Sequence, residues 1–193
     1  MHLDDEYLTG LLATNLDGSF GQLVTTYQHR LYAFVLRQTG NTHDADDIIQ
    51  DTLIRVYFAL KSYSATRVQT LKLQSWLYKI TLNVLYSHMH SSRLQLISYD
   101  LSDEGSLLSI EDSSLGPEQE VWWREYRREL EDLIATLPDR YRVAVNLRYF
   151  EELSYQEIAE LLNQPAGTVK SNVHRGVELL RKMHGEAHMN QVG

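Results

Sequence analysis

The stretch LPDRYRVAVNLRYFEELSYQEIAELLNQPAGTVKSNVHRGVELLRKM, Leu137–Met183, decides how the rest of the chain is read. Ser154 and Glu157 have the spacing at which a serine hydroxyl and a glutamate carboxylate satisfy each other's free backbone N–H groups at a helix start. A helix therefore begins near Ser154, with Ile158, Leu161 and Leu162 on one face. It should stop at Asn163-Gln164, because Pro165 disfavours the α conformation in the residue before it. Pro165 then suits the first turn of a second helix. The apolar stripe of that helix is Val169, Val173, Val177 and Leu180, and its other face shows Lys170, Ser171, Asn172, His174 and Arg175. Two helices, a tight turn and polar donors on the outside of the second are the pattern of a helix-turn-helix.

The remaining chain bounds what this motif can serve. A length of 193 residues, 43% hydrophobic and 10% aromatic, supports one large or two small cores. The absence of cysteine excludes disulfides and thiolate metal sites and fits a reducing compartment. No run of about 18 apolar residues occurs. The N-terminal MHLDDEYLTG is acidic where a signal peptide would be basic, so a cytoplasmic protein without membrane insertion is expected. No nucleophile–base constellation, phosphate loop or metal-ligand set is present, so neither an enzyme nor a cofactor is expected. His88 with His90, and His184 with His188, lack the carboxylate or thiolate that would complete a metal site.

A net charge of -8 suits a nucleic-acid binder only when divided along the chain. Residues 1–97 carry 8 basic and 8 acidic residues, residues 98–120 carry 7 acidic and none basic, and residues 121–193 carry 10 basic and 11 acidic. The excess acid is thus concentrated in 98–120, whose Ser, Asp, Glu and Gly mark a flexible linker. From Ala166 onward, Lys170, Arg175, Arg181 and Lys182 stand against Glu178 and Glu186, a modest positive balance. Because phosphate attraction dominates non-specific binding, affinity of the free chain for duplex DNA should be weak.

Helical periods fill both sides of the linker, and no strand pattern or repeat is seen, so the fold expected is all-α with two small helical domains, 1–97 and 121–193. Tyr7, Leu8, Leu11 and Leu12 allow a short amphipathic segment. Phe20, Leu23, Val24, Tyr27, Leu31, Phe34 and Val35 mark a long helix that Gly40-Asn41 should end. Asn41-Thr42-His43-Asp44 supplies a cap and early acid for the next helix, with Ile48, Ile49, Thr52, Leu53, Val56 and Leu60 inward and Asp44, Asp47, Gln50, Asp51 and Arg55 outward. Ser62–Gln69 reads as a loop. Leu73, Trp76, Leu77, Ile80, Val84 and Leu85 form the core side of a further helix, while Lys72, Lys79, Asn83 and Tyr86 should be exposed near one another. The second domain opens with Val121, Trp122, Tyr126, Leu130, Leu133, Ile134 and Leu137 on one helix that Pro138 ends.

Three motifs in this order resemble the bacterial sigma factors of RNA polymerase, in their two-domain extracytoplasmic-function form. Leu137–Lys182 looks like the family's promoter-binding domain, DADDIIQDTLIRVY at Asp44–Tyr57 is similar to its acidic docking helix, and LQSWLYKITLNVLYSHM at Leu73–Met89 is similar to the helix that opens the downstream promoter element. The resemblance implies a protein that recruits core polymerase to promoters and melts them without covalent chemistry. Thr168, Lys170, Ser171, Asn172, His174 and Arg175 would then read the minus-35 element in the major groove, with Tyr155 and Gln156 fixing register on the backbone. A loop corresponding to Ser62–Lys72 would capture an unstacked minus-10 base, while Lys72, Trp76, Lys79, Asn83 and Tyr86 hold the single strand. Asp44, Asp47, Gln50, Asp51 and Arg55 would meet the clamp helices of polymerase's largest subunit, the C-terminal domain would meet the flap of the second-largest, and an anti-sigma factor is an implied partner. Leu82, Ser87 and His88–Arg93 depart from the family, which places arginine, aspartate and a basic cluster there. That leaves fewer phosphate contacts, or pH-sensitive ones through His88 and His90. Without the resemblance, the helix-turn-helix alone also fits a DNA-binding regulator that does not join polymerase.

Overall fold

A computed structural model describes residues 3–95, 131 and 133–191. The linker 98–120 and the helix expected from Val121, Trp122, Tyr126 and Leu130 lie outside these. Every regular element among the described residues is helical, and the chain divides into two units, residues 1–36 with 43–104 and residues 37–42 with 105–193.

In the first unit, α1 (Leu3–Thr14) turns Leu8, Thr9 and Leu12 inward. The Asn15 side chain accepts a hydrogen bond from Gly18 N at 3.1 Å and so caps α2 (Leu16–Thr39). Leu23, Tyr27, Leu31, Phe34 and Val35 are buried, as their spacing predicts, and Gly40 at φ 68° ends the helix in the left-handed region that glycine enters without a steric cost. In α3 (Thr42–Ser62), Ala45, Ile48, Ile49, Thr52, Val56 and Leu60 face the core. The expected loop Ser62–Gln69 instead contains α4 (Ala65–Gln69), capped by Ser64, whose hydroxyl accepts from Arg67 N. Five residues are too few to show a helical period, and only Val68 of α4 is buried. In α5 (Leu73–Gln95), Leu73, Leu77, Val84 and Leu85 are buried as read, whereas Trp76 and Ile80 are half-buried. Leu82, standing where the resemblance places an arginine, is buried as well, so this helix replaces a charge by core packing at that point.

The second unit closes around Ile134, Leu137, α6 (Asp139–Tyr149), α7 (Tyr155–Leu162) and α8 (Ala166–Gln191). The capping box of α7 is present: Ser154 Oγ accepts from Glu157 N at 3.2 Å, and Glu157 accepts from Ser154 N at 2.9 Å. The helix stops where read, though the local cause is Asn163 in the left-handed conformation at φ 52°. Pro165 sits one position before α8 rather than inside it, its carbonyl accepting from Thr168 N and Val169 N. Val169 and Val173 are buried, while Val177 and Leu180, read as core, are half-buried. Gly176 lets α8 approach α6 closely, since a Cβ there would lie 2.6 Å from Val145 Cγ2.

Candidate nucleic-acid and polymerase interfaces

Successive residues of an α-helix turn by about 100°, and this decides what α8 presents. Ser171, His174 and Glu178 lie on the line opposite the buried Val169, Val173 and Gly176, and Lys170 and Arg175 flank that line on its two sides. Lys170, His174 and Arg175 are exposed, as is Thr168, and Ser171 is half-buried. Asn172 is a correction: expected on the outer face, it is only 9% exposed. Three residues after Val169 and four before Gly176, it belongs to the inner face by geometry. His174 Nδ1 lies 3.4 Å from Glu178 Oε2, so a carboxylate stands in the middle of the outward line.

At the entrance to α7, Gln156 is exposed and Tyr155 is half-buried. The guanidinium of Arg148 lies 5.0 Å from the Tyr155 ring centre and donates to the Leu153 carbonyl at 3.0 Å. Arg148 therefore holds a cation close to the start of this helix, where the helix dipole also favours an anion. Sequence reading passed over it because it sits on a different helix, and only the turn 150–154 brings it back.

In the first unit the structure joins the expected melting residues into one stripe. Lys72, Trp76, Lys79, Asn83, Tyr86 and His90 are separated by steps of three and four, which keeps them within about 40° of a single line along α5. All but the half-buried Trp76 are exposed. Two further residues extend this surface. The Arg67 guanidinium lies 3.7 Å from the centre of the Tyr63 ring, and Tyr63 is 6.0 Å from Trp76, so a cation and two aromatics are layered at the start of the stripe. Aromatic faces and cations in a row suit unstacked bases and their phosphates.

On α3, Asp44, Asp47, Asp51 and Arg55 share one side, with Asp44 half-buried and the other three exposed. Gln50 is exposed but lies about 100° round the helix from Asp51. Arg55 and Asp51 approach at 3.9 Å, and His43 and Asp47 at 3.8 Å. Such surface pairs are worth little in stability and leave the charges available to a partner. The same side carries Ile54, 50% exposed, and Phe58, 63% exposed, which sequence reading had not singled out. Phe58 packs edge-on against Tyr57, whose hydroxyl donates to Asp17 at 2.7 Å, so the exposed ring is held from behind. No cluster of potential metal ligands occurs among the described residues, and no helix among them is long and apolar enough to cross a membrane.

Comparison with known proteins gives both units a match. Residues 23–94 match the family model for sigma-70 region 2, and residues 127–180 match that for sigma-70 region 4. The chain is 35% identical over 168 residues to the ECF RNA polymerase sigma factor SigW of Bacillus subtilis, covering 85% of this chain and 88% of that one. It is 30% identical over 185 residues to the ECF RNA polymerase sigma-E factor of Escherichia coli, covering 92% and 93%. Among solved structures, the sigma factor RpoE in complex with the anti-sigma factor NepR from Bartonella quintana aligns with a TM-score of 0.68 at 23% identity, covering 86% of this chain and 96% of that one. CnrH in complex with the cytosolic domain of CnrY aligns at 0.63 and 20%, covering 94% and 97%. These two likenesses establish the all-helical fold.

Proposed function

The chain belongs to the extracytoplasmic-function sigma factors, which bind core RNA polymerase and direct promoter recognition, and from this premise we propose which of its residues do the work. Residues 1–97 dock on polymerase and open the minus-10 element, 98–120 tether, and 121–193 read the minus-35 element. In the major groove, Arg175 and Lys170 address guanine edges or phosphates, with Ser171, His174 and Thr168 beside them. Tyr155, Gln156 and Arg148 fix register on the backbone. Asn172, turned inward, supports the recognition helix rather than reading adenine.

The observation that carries the reading is the single exposed stripe on α5. A duplex-binding regulator has no use for a row of Lys72, Trp76, Lys79, Asn83 and Tyr86 on a helix outside its helix-turn-helix, whereas a protein that holds a separated strand needs one. The segment Ser62–Lys72, with Tyr63 and Arg67, captures the unstacked base. Asp44, Asp47, Asp51 and Arg55, with Gln50 at the margin, meet the clamp helices of the largest polymerase subunit, and the C-terminal unit meets the flap of the second-largest. The chain acts on polymerase in the cytoplasm. An anti-sigma protein is its further partner, a reading supported by the complex of one structural neighbour with an anti-sigma factor. The test is reconstitution: purified chain plus core polymerase should yield specific run-off transcripts whose mapped start sites define an asymmetric two-part promoter. A chain that binds DNA but yields no specific transcript with core polymerase would end the proposal.

A further inference from the structure

The base-capturing segment cannot hold its own shape. An isolated helix of five residues is far below the length at which helices persist in water. What places α4 is what it packs on, and its main partner is α1, which also touches α5. In turn α1, of 12 residues, is marginal by itself. It is fastened at its start: the Tyr27 hydroxyl of α2 donates to the Asp5 carboxylate at 2.5 Å, with both side chains buried. Asp5 lies in the first turn of α1, where the helix dipole favours a negative charge. A buried carboxylate costs free energy unless a donor meets it, so this bond selects one seating of α1 among several that apolar packing alone would tolerate. This helix precedes residues 23–94, the span matched to region 2.

We propose that α1 is a positioning element for minus-10 recognition: the Asp5–Tyr27 bond seats α1 on α2, α1 seats α4, and α4 sets the Arg67–Tyr63 layer against the captured base. This rests on the assignment of Ser62–Lys72 to base capture. Asp5 and Tyr27 touch no DNA and act only through α4.

The experiment uses holoenzyme assembled with the full chain carrying Tyr27→Phe, Asp5→Ala, Asp5→Asn or Arg67→Ala. Three quantities are measured: affinity for core polymerase, the rate of open-complex formation on duplex promoter, and the ratio of opening rates between promoters differing at the captured base. Tyr27→Phe keeps the ring and its packing and removes only the donor. Tyr27→Phe and Asp5→Ala should each lower opening by about tenfold, the equivalent of one hydrogen bond to a charged group, and flatten the base ratio toward one. Asp5→Asn keeps an acceptor and should recover most of both. Affinity for core polymerase should be unchanged in all of them. If Arg67→Ala alters the base ratio while Tyr27→Phe and Asp5→Ala do not, the role of α1 is refuted. If polymerase affinity falls in proportion to opening, the bond merely holds the unit together and the proposal is again refuted. If Arg67→Ala leaves the base ratio intact, the assignment of the loop itself is wrong.

Discussion

Replacing Gly176 by alanine sets two effects of opposite sign against each other. In an exposed helix interior the change would stabilise by about 1 kcal/mol, since alanine gives up less backbone freedom. In this helix the new methyl carbon would lie 2.6 Å from Val145 Cγ2 and 3.3 Å from Tyr141 Cβ. Val145 is buried and β-branched, with one strongly preferred rotamer in a helix, so its methyl cannot swing aside. The Tyr141 contact is to a Cβ, which moves only with its backbone. Helices α6 and α8 must therefore separate, and such overpacking costs about 1–3 kcal/mol. The balance is a net loss of about 1 kcal/mol, or roughly 4–8 °C in the melting of a unit of this size. Thermal unfolding of the full chain followed by circular dichroism reads it directly. Introducing Val145→Ala removes the obstructing methyl, so in that background Gly176→Ala should no longer destabilise, with a coupling of about 1 kcal/mol or more between the sites. A melting temperature raised by Gly176→Ala in the parent chain, or additivity in the double mutant, would refute the close approach. Because α6 supports α8, the same substitution should also weaken minus-35 binding.

Four further outcomes are expected. Ser154→Ala removes the acceptor for Glu157 N and should cost about 1 kcal/mol in thermal unfolding, with Ser154→Thr recovering most of it. Glu152 holds φ 56° without being glycine, so Glu152→Gly should stabilise the chain by up to about 1 kcal/mol and raise the melting temperature; a lower one would show that its side chain contributes more than its backbone strain removes. Phe58→Ala and Ile54→Ala alter exposed side chains and should leave melting nearly unchanged, while polymerase affinity measured by competition falls by about 1 kcal/mol or more each; equal affinity would remove them from the docking face. Glu178→Gln deletes the carboxylate beside His174 and should strengthen DNA binding across sequences, whereas Arg175→Ala should lose about 1–3 kcal/mol chiefly at one minus-35 position, as read from binding to a set of single-base promoter variants.

Features whose cause lies within a few residues were legible in the chain itself. The capping box at Ser154 and Glu157, the stop at Asn163 and the end of α2 at Gly40 depend on neighbours three or four positions away. Long amphipathic periods such as Leu23 to Val35 carry enough repeats to identify a buried face without knowing its partner. The sigma-factor resemblance rested on three such local motifs in order, and the two region matches bear it out.

Other features needed the packed molecule. The five residues of α4 carry no period, and their helix forms where it packs on α1, with Val68 buried. Asn172 is polar, and only the side from which α6 and α7 approach α8 decides that it turns inward. Ile54 and Phe58 read as two more apolar residues in an amphipathic helix until the core is filled without them. Arg148 with Tyr155, Arg67 with Tyr63 and Trp76, and Asp5 with Tyr27 unite residues from different helices or across a turn. Local pattern therefore determined which of the long helices form and where they end, because hydrogen bonds and caps are short-range. Tertiary structure decided which side chains remain outside to meet DNA and polymerase, because burial depends on what each helix packs against.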